Sequence, residues 1–452
     1  MMLVADGLRP DVLDAAIRRG DVPELAALAS AGRRTEVTTV FPSVTGVAYI
    51  PMLTGWHPAG AGVPGLRWYD RNRGLPALLG HSRSYVGAQV REMDRDLDPN
   101  ARTLFEIAGG DSLGSMAMLT RGLPAAKRLD HGAGFAGRLA RAHVAGDVAQ
   151  WARLEEDLAE RLVDRVRRER PRFVFAAFTA GDKAAHAGPA WEHVARDSLR
   201  LVDDVVGRLR RDAERDGRWP RLRLWIVSDH GHSPVSRHVE LAALLRDQGI
   251  RVRAHPWTVP DRSEVAVMVS GNSMAHVYLG LDSRNRLNWP ELEDRWLGRV
   301  GVLWSHPAVD LLAARRGAGT VEVWKGGASA MVEVSNGAYS YRIQDSNPLG
   351  IEAFERASEA EALDRCRGSE YPDGVVQLAQ AVLAGRSGDL VVSATRGWDL
   401  RIGYEPVEHR SSHGALHAGH MVVPLVGTGL PDGAVRRTGD LFTHAARVLG
   451  EP

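Results

Sequence analysis

Three short apolar runs in this chain each lead to a carboxylate, and that repeated ending narrows the folds open to it. Met1-Met2-Leu3-Val4-Ala5 runs into Asp6-Gly7, Arg172 to Ala177 precedes Gly181-Asp182, and Leu222 to Val227 runs into Ser228-Asp229-His230-Gly231. Each run has the length and composition of a buried strand. Between them, Pro10 to Ala31 has helical periodicity with Gly32 as its stop, and Val148 to Arg168 and Trp191 to Arg211 carry apolar residues at helical spacing. Strands alternating with helices make βαβ units, hence an α/β core with a mostly parallel sheet flanked by helices. In open sheets of that kind ligands bind at the carboxyl edge, where these acids fall.

From about His238 to Leu390 the texture changes to alternating runs such as Ala266-Val267-Met268-Val269 and Ala275-His276-Val277-Tyr278-Leu279, with Thr320 to Trp324 and Ala330 to Val334 after them. This predicts an inserted α+β cap, with residues 1–237 forming the first part of the catalytic core, 238–390 the cap and 391–452 the last part of the core. Asp389-Leu390-Val391-Val392-Ser393 and Met421-Val422-Val423-Pro424-Leu425 are read as late core strands, and Asp440 to Leu449 as a closing helix. A length of 452 residues accommodates such a core and insertion.

Composition excludes several classes. Lys and Arg number 57 against 56 Asp and Glu, so no overall field draws the protein to a nucleic acid polymer or an anionic membrane. The arginines of the two long helices are interleaved with acids and are read as a solvated outer face. A single cysteine, Cys366, cannot form an internal disulfide and is read as a buried small residue. There is no basic segment followed by an apolar stretch and cleavage site, and no uninterrupted apolar run of the ~20 residues a membrane helix needs. The expectation is a soluble cytoplasmic enzyme, with room for strand residues upstream of Met1.

The polar residues at the strand ends suit one chemistry. Asp6, Asp182, His186, Asp229, His230 and His413 offer oxygen and nitrogen donors, and Thr45 makes seven. Zinc takes such donors at about 2.0–2.2 Å, and two-metal phosphoryl sites place their ions about 3.5–4 Å apart. Asp182 and His186 are four apart, so a helix beginning near Gly181 sets both on one face. Asp229-His230 follows a strand directly, leaving both side chains at a turn on the sheet edge. Thr45, in Phe41-Pro42-Ser43-Val44-Thr45-Gly46, is in isolation a turn threonine whose hydroxyl needs a cation to become a nucleophile near neutral pH.

Taken together, Val4-Ala5-Asp6-Gly7, Phe-Pro-Ser-Val-Thr45 with Leu53-Thr54-Gly55 after it, Gly181-Asp182-Lys183-Ala184-Ala185-His186, Ser228-Asp229-His230-Gly231-His232 and Ser411-Ser412-His413-Gly414 resemble the alkaline phosphatase superfamily. Within it they are most similar to the type I phosphodiesterase/nucleotide pyrophosphatase branch. The motifs occur in that family's order from residue 6 to residue 413. The resemblance implies two divalent metal ions, zinc by family, one held by Asp182, His186 and His413 and the other by Asp6, Asp229 and His230. It further implies that Thr45 coordinates the second ion and attacks phosphorus, giving a covalent phosphothreonine that water then releases. The implied substrate is a small phosphorylated molecule, a nucleotide or other phosphodiester.

One position departs from the family: an asparagine expected after Leu-Thr-Gly falls near Leu66, so Arg67 or another donor takes its place or the substrate differs. Phosphonate hydrolysis, phosphomonoester hydrolysis and a metal-bound protein without catalysis are the alternatives. A sulfatase would need a Cys or Ser-x-Pro-x-Arg setting, which Thr45 lacks, and a cofactor-independent phosphoglycerate mutase would present serine. Gly60-Ala61-Gly62-Val63-Pro64-Gly65 fits a dinucleotide fingerprint only literally, because it follows no strand and Pro64 spoils the helix start. His409, His417 and His420 are set aside as supporting or surface residues, and Trp68-Tyr69 is the pair to consider as a stacking wall, with core packing the alternative.

Overall fold

The computed structural model describes the chain except residues 73–80, 88, 256–261, 404, 406–407, 431–432, 434 and 451–452. Met2–Ala5 pairs in parallel with Phe173–Phe178 on one side and Trp225–Val227 on the other, and Ser112–Ser115 extends the sheet beyond Phe173–Phe178. Val422–Gly427 runs antiparallel beside Trp225–Val227, and Arg33–Thr38 forms the edge against it. Five of the six strands thus point the same way, as the βαβ reading predicts.

Alternate residues of the central strands feed opposite apolar layers. Met2, Val4, Phe173, Phe175 and Ala177 join one cluster, while Leu3, Ala5, Val174, Ala176 and Phe178 join the other. Burial on both faces is why these strands read as unbroken apolar runs. The helices Val148–Glu169 and Glu192–Arg215 cover one face, with Leu154, Leu158, Leu162, Val202 and Val206 turned inward. On the other face lie Tyr49–Thr54 and Asp440–Val448.

The single helix expected over Pro10 to Ala31 is two, Pro10–Arg19 and Pro23–Ala31. Gly20 takes the left-handed conformation (φ 72°) and ends the first, and Pro23, which lacks an amide hydrogen, starts the second.

A second, nine-stranded sheet runs in the order Val252–Ala254, Val265–Ser270, Met274–Leu279, Leu390–Ala394, Val309–Gly317, Thr320–Lys325, Ala328–Ser335, Ala338–Ile343 and Phe354–Ala357. All its pairings are antiparallel except the first. Helices cover both faces, Trp289–Val300 on one and Gly374–Leu383 on the other. Leu390–Ala394, expected as a late core strand, is therefore a central strand of this sheet. Buried on both sides, it has the same apolar sequence as a core strand, and periodicity cannot tell the two apart. Val422–Gly427 and Asp440–Val448 do lie in the core. Cys366 is buried in the layer beside Gly374–Leu383. Among the described residues no helix is long and apolar enough to cross a membrane.

Glu155 locks the helix layer to the carboxyl edge of the core sheet. Its side chain points inward from Val148–Glu169, accepts the amides of Thr179 and Ala180 on Oε1, and accepts Ser198 Oγ at 2.9 Å on Oε2. Replacing it with Ala would leave two buried N–H groups unsatisfied, at roughly 1–3 kcal/mol each. Urea unfolding of Glu155→Ala should therefore show a loss of at least ~2 kcal/mol, and a midpoint matching the parent chain would contradict this anchoring.

Candidate metal centre

Because Trp225–Val227, Met2–Ala5 and Phe173–Phe178 are adjacent and parallel, their carboxyl ends deliver side chains to one place. Asp6 leaves its strand directly, with its amide donating to Phe178 O at 2.9 Å. Thr179 then leads into the helix Ala180–Ala187, which carries Asp182 in its first turn and His186 in its last. Asp229 and His230 follow Val227 and are fully buried. Thr45 enters from the loop beyond the edge strand Arg33–Thr38, where Thr39 Oγ1 donates to Asp229 O at 2.5 Å. His413 enters from the chain returning after the cap, where Ser411–Ser412 pairs with Ser233–Pro234.

Two groups of donor atoms result. In the first, Asp182 Oδ1 lies 2.7 Å from His232 Nε2, 3.4 Å from His186 Nε2 and 3.6 Å from His413 Nε2. In the second, His230 Nε2 lies 3.2 Å from Asp6 Oδ1 and 3.6 Å from Asp229 Oδ2. Thr45 Oγ1 stands 3.3 Å from both Asp6 oxygens and 3.0 Å from His230 Nε2. Asp182 is shared, since it also groups with Asp6 and His230. All seven residues singled out from the sequence thus meet at one edge of the sheet. Sequence reasoning missed His232, the last residue of Ser-Asp-His-Gly-His, because nothing in the motif distinguishes a second histidine facing Asp182 from one facing solvent.

The donors fit divalent cations in three respects. His186, His413 and His230 turn Nδ1 toward the backbone oxygens of Ser411, Ser43 and Gly231 at 2.7, 3.0 and 3.1 Å. A carbonyl only accepts, so Nδ1 carries the proton and Nε2 presents its lone pair inward, the tautomer a metal ligand requires. Burial depresses the basicity of all three, His230 to about 3, so the rings are neutral. Asp229 Oδ1 accepts from Gly7 and His230 amides, whereas its buried Oδ2 has no hydrogen-bond partner.

The acids are under electrostatic stress. Burial, followed by Asp229 and Asp182, pushes Asp6 well above the usual carboxylate range, and burial with Asp182 raises Asp229 to about 7. Burial acts on Asp182 in the same direction but is outweighed by its polar neighbours, the Lys183 ammonium first among them, which hold it well below. Lys183 Nζ donates to Asp182 Oδ2 at 3.0 Å.

The cap presses onto this centre. A Cβ on Gly271 (φ +63°) would lie 2.6 Å from Val44 Cγ2 and 3.1 Å from His413 Nδ1, so only glycine lets the turn approach so closely. Beside it Asp399, Glu405 and His409 form a third group, closed by its own bonds: Asn272 Nδ2 donates to both carboxylates, and His409 Nδ1 lies 3.1 Å from Asp399 Oδ2. The His409 ring is 4.3 Å from that of His186. His420 bonds Ser233 Oγ and the Ala415 amide, in a supporting role, and His417 is buried.

Leu66 packs against the core cluster, and Arg67 donates through Nη1 to Val269 O at 3.3 Å, joining core to cap. Trp68 and Tyr69 form no stacking wall: both are buried in the core, and Trp68 Nε1 donates to Tyr85 Oη at 3.0 Å. Adjacent aromatic residues on a two-sided buried ribbon read the same in sequence as a ligand platform.

The profile of the type I phosphodiesterase / nucleotide pyrophosphatase family matches residues 1–416. Among solved structures, the chain is similar to phosphonoacetate hydrolase from Sinorhizobium meliloti 1021 in complex with phosphonoacetate, with TM-score 0.57 and 18% identity over 99% of this chain and 95% of that one. It is also similar to murine ectonucleotide pyrophosphatase / phosphodiesterase 5, solved in an inactive form with AMP, with TM-score 0.57 and 14% identity over 100% and 94%. The human ectonucleotide pyrophosphatase / phosphodiesterase 5 gives TM-score 0.54 and 14% identity over 100% and 94%. These likenesses are of fold. No curated protein matches by sequence.

Divalent cations entering this centre must displace protons from carboxylates and none from the histidines. Asp229, raised to about 7, binds a proton below that pH in the metal-free protein, so metal affinity should fall as pH drops through 7. Calorimetric titrations with zinc at stepwise pH should show roughly a tenfold weakening per unit and per displaced proton below pH 7. An affinity flat from pH 8 to 5.5 would contradict the carboxylate pKa values.

Proposed function

The chain belongs to the type I phosphodiesterase/nucleotide pyrophosphatase family, hydrolases that act on phosphoester bonds, and from that premise we propose that it cleaves phosphodiester or pyrophosphate bonds with two metal ions and Thr45 as nucleophile. The observation that carries this reading is the position of Thr45 Oγ1, within 3.3 Å of both Asp6 oxygens and 3.0 Å from His230 Nε2. Asp182, His186 and His413 would hold one ion, and Asp6, Asp229, His230 and Thr45 the other. Zinc suits this mixture of imidazole and carboxylate donors. When bound, the ions supply Lewis acidity that favours the ionised hydroxyl and offsets charge on the phosphoryl oxygens.

The protein's own groups do the rest. Asp6 accepts the hydrogen bond of the Thr45 hydroxyl and so orients it. Attack by Oγ1 on phosphorus forms a phosphothreonine as the bond to the leaving group breaks, and the leaving oxygen takes the electron pair. Water then cleaves the Oγ1–P bond, returning the threonine hydroxyl and phosphate or a phosphomonoester. The inactive form of the murine structure bears a threonine-to-alanine change, which accords with a threonine nucleophile in this family.

Residues 238–390 we take as the region that selects substrate. A second reading, phosphonate hydrolysis, is favoured by two observations: Leu66 falls near the position where the nucleotide pyrophosphatases carry asparagine, and a phosphonoacetate hydrolase shares the fold over nearly the whole chain.

Thr45→Ala should lower turnover of bis-p-nitrophenyl phosphate by ~10³-fold or more while metal content stays near two ions, and substantial residual turnover would remove Thr45 as nucleophile. Asp229→Ala should lower metal content and turnover together. Side-by-side assays of nucleotide diesters, monoesters and carboxylated phosphonates then choose between the two readings, and a zinc-loaded protein inert toward all of them would support a binding protein instead.

A further inference from the structure

His232 plays no part in the reading above, yet at 2.7 Å from Asp182 Oδ1 it stands closer to that carboxylate than His186 or His413 does. We infer that His232, backed by Ser411, is a positioning residue that fixes the carboxylate of Asp182, the one side chain common to both donor groups. The inference rests on that reading only in taking Asp182 as a metal ligand.

The four histidines of the pocket differ in what stands behind them. His186, His230 and His413 have carbonyl oxygens at Nδ1, whereas His232 Nδ1 faces Ser411 Oγ at 2.9 Å. A hydroxyl can donate where a carbonyl cannot. Asp182 Oδ1 only accepts, so Nε2, 2.7 Å away at a hydrogen-bond length, carries a proton, and the Ser411 hydroxyl can accommodate Nδ1 in either state. Ser411 Oγ is itself held by Ser233 O at 3.1 Å, which fixes the hydroxyl behind the His232 ring.

The spacing around Asp182 Oδ1 separates the histidines again. Ligands at about 2.0–2.2 Å from an ion and at tetrahedral angles stand about 3.3–3.6 Å apart. His186 and His413 Nε2, at 3.4 and 3.6 Å, have that spacing, and His232 Nε2, at 2.7 Å, is too close. Lys183 Nζ takes the other oxygen, Oδ2, at 3.0 Å. Asp182 is thereby clamped from both ends, and its oxygens cannot rotate away from the two donor groups.

The backbone makes room for this arrangement. A Cβ on Gly7 would lie 2.6 Å from His232 Cδ2 and 2.7 Å from Nε2, and Gly7 has φ +71°. The turn that releases Asp6 from its strand therefore also admits the His232 ring.

The test uses the metal-loaded full chain and reads metal affinity by chelator competition, stoichiometry by elemental analysis and the visible spectrum after cobalt(II) substitution. His232→Ala should still bind two ions at saturation but with affinity lowered about 10–100-fold, the usual effect of losing a ligand's hydrogen-bond partner. His232→Gln, whose amide can donate near the Nε2 position, should recover most of that loss, and Ser411→Ala should show a smaller loss of the same kind. The cobalt spectrum at saturation should keep its shape in all three. Unchanged affinity in His232→Ala would overturn the inference. So would loss of one ion at saturation with an altered cobalt spectrum in both the Ala and Gln variants, which would make His232 a ligand. A parent chain that binds fewer than two ions would instead defeat the two-metal reading, an outcome seen before any variant is made.

Discussion

Asp6, Asp182 and Asp229 are held in one buried pocket, where water cannot screen them, where Asp182 and Asp229 raise the cost of ionising Asp6, and where Asp182 raises that of ionising Asp229. Two unit charges 4 Å apart repel by about 4 kcal/mol at an effective dielectric constant of about 20, so three acids at a sheet edge store substantial repulsion unless positive charge or protons offset it. Much of the surrounding structure answers that repulsion. Lys183 and the amides of Gly7 and His230 supply partial relief, while neutral imidazoles present lone pairs that neither add to nor cancel the negative charge. A pocket built this way is stable when protonated or when filled by cations, which is the thermodynamic basis for metal binding coupled to proton release.

The acids are held against their mutual repulsion by the core sheet. Three adjacent parallel strands, apolar on both faces, carry them, and the layers packed on those faces leave the strands no freedom to splay. Glu155 extends the same restraint to the turn before Asp182 by taking the Thr179 and Ala180 amides. Precision at the centre is thus borrowed from hydrophobic packing some distance away.

The cap is coupled to the centre through a few close approaches. Gly271 lets a hairpin of the nine-stranded sheet press on Val44 and His413, and Asn272 gathers Asp399, Glu405 and His409 beside His186. Changes in that sheet can therefore reach Thr45 through Val44, the residue next to it.

Chain-local rules made several features legible. Asp182 and His186 share a helix face because they are four apart, and Asp6 and Asp229 close strands because an apolar run meets a polar turn at each. The order of these motifs was enough to indicate the family and the α/β core. Other features depend on which segments become neighbours, and no window of sequence encodes that. Leu390–Ala394 could belong to either sheet because burial on both faces erases the alternation that would assign it, and Trp68 could face a ligand or the core for the same reason. His232 acquires its role only when Ser411, far along the chain, is placed behind it and Gly7 leaves room in front. Sequence by itself determined the donor types and the strand ends that carry them, since those follow from local periodicity and chemistry. Tertiary structure alone decided which donor atoms stand within a few ångströms of one another and which histidine lies closest to Asp182, because hydrogen-bond direction and ångström-scale spacing exist only once distant segments pack.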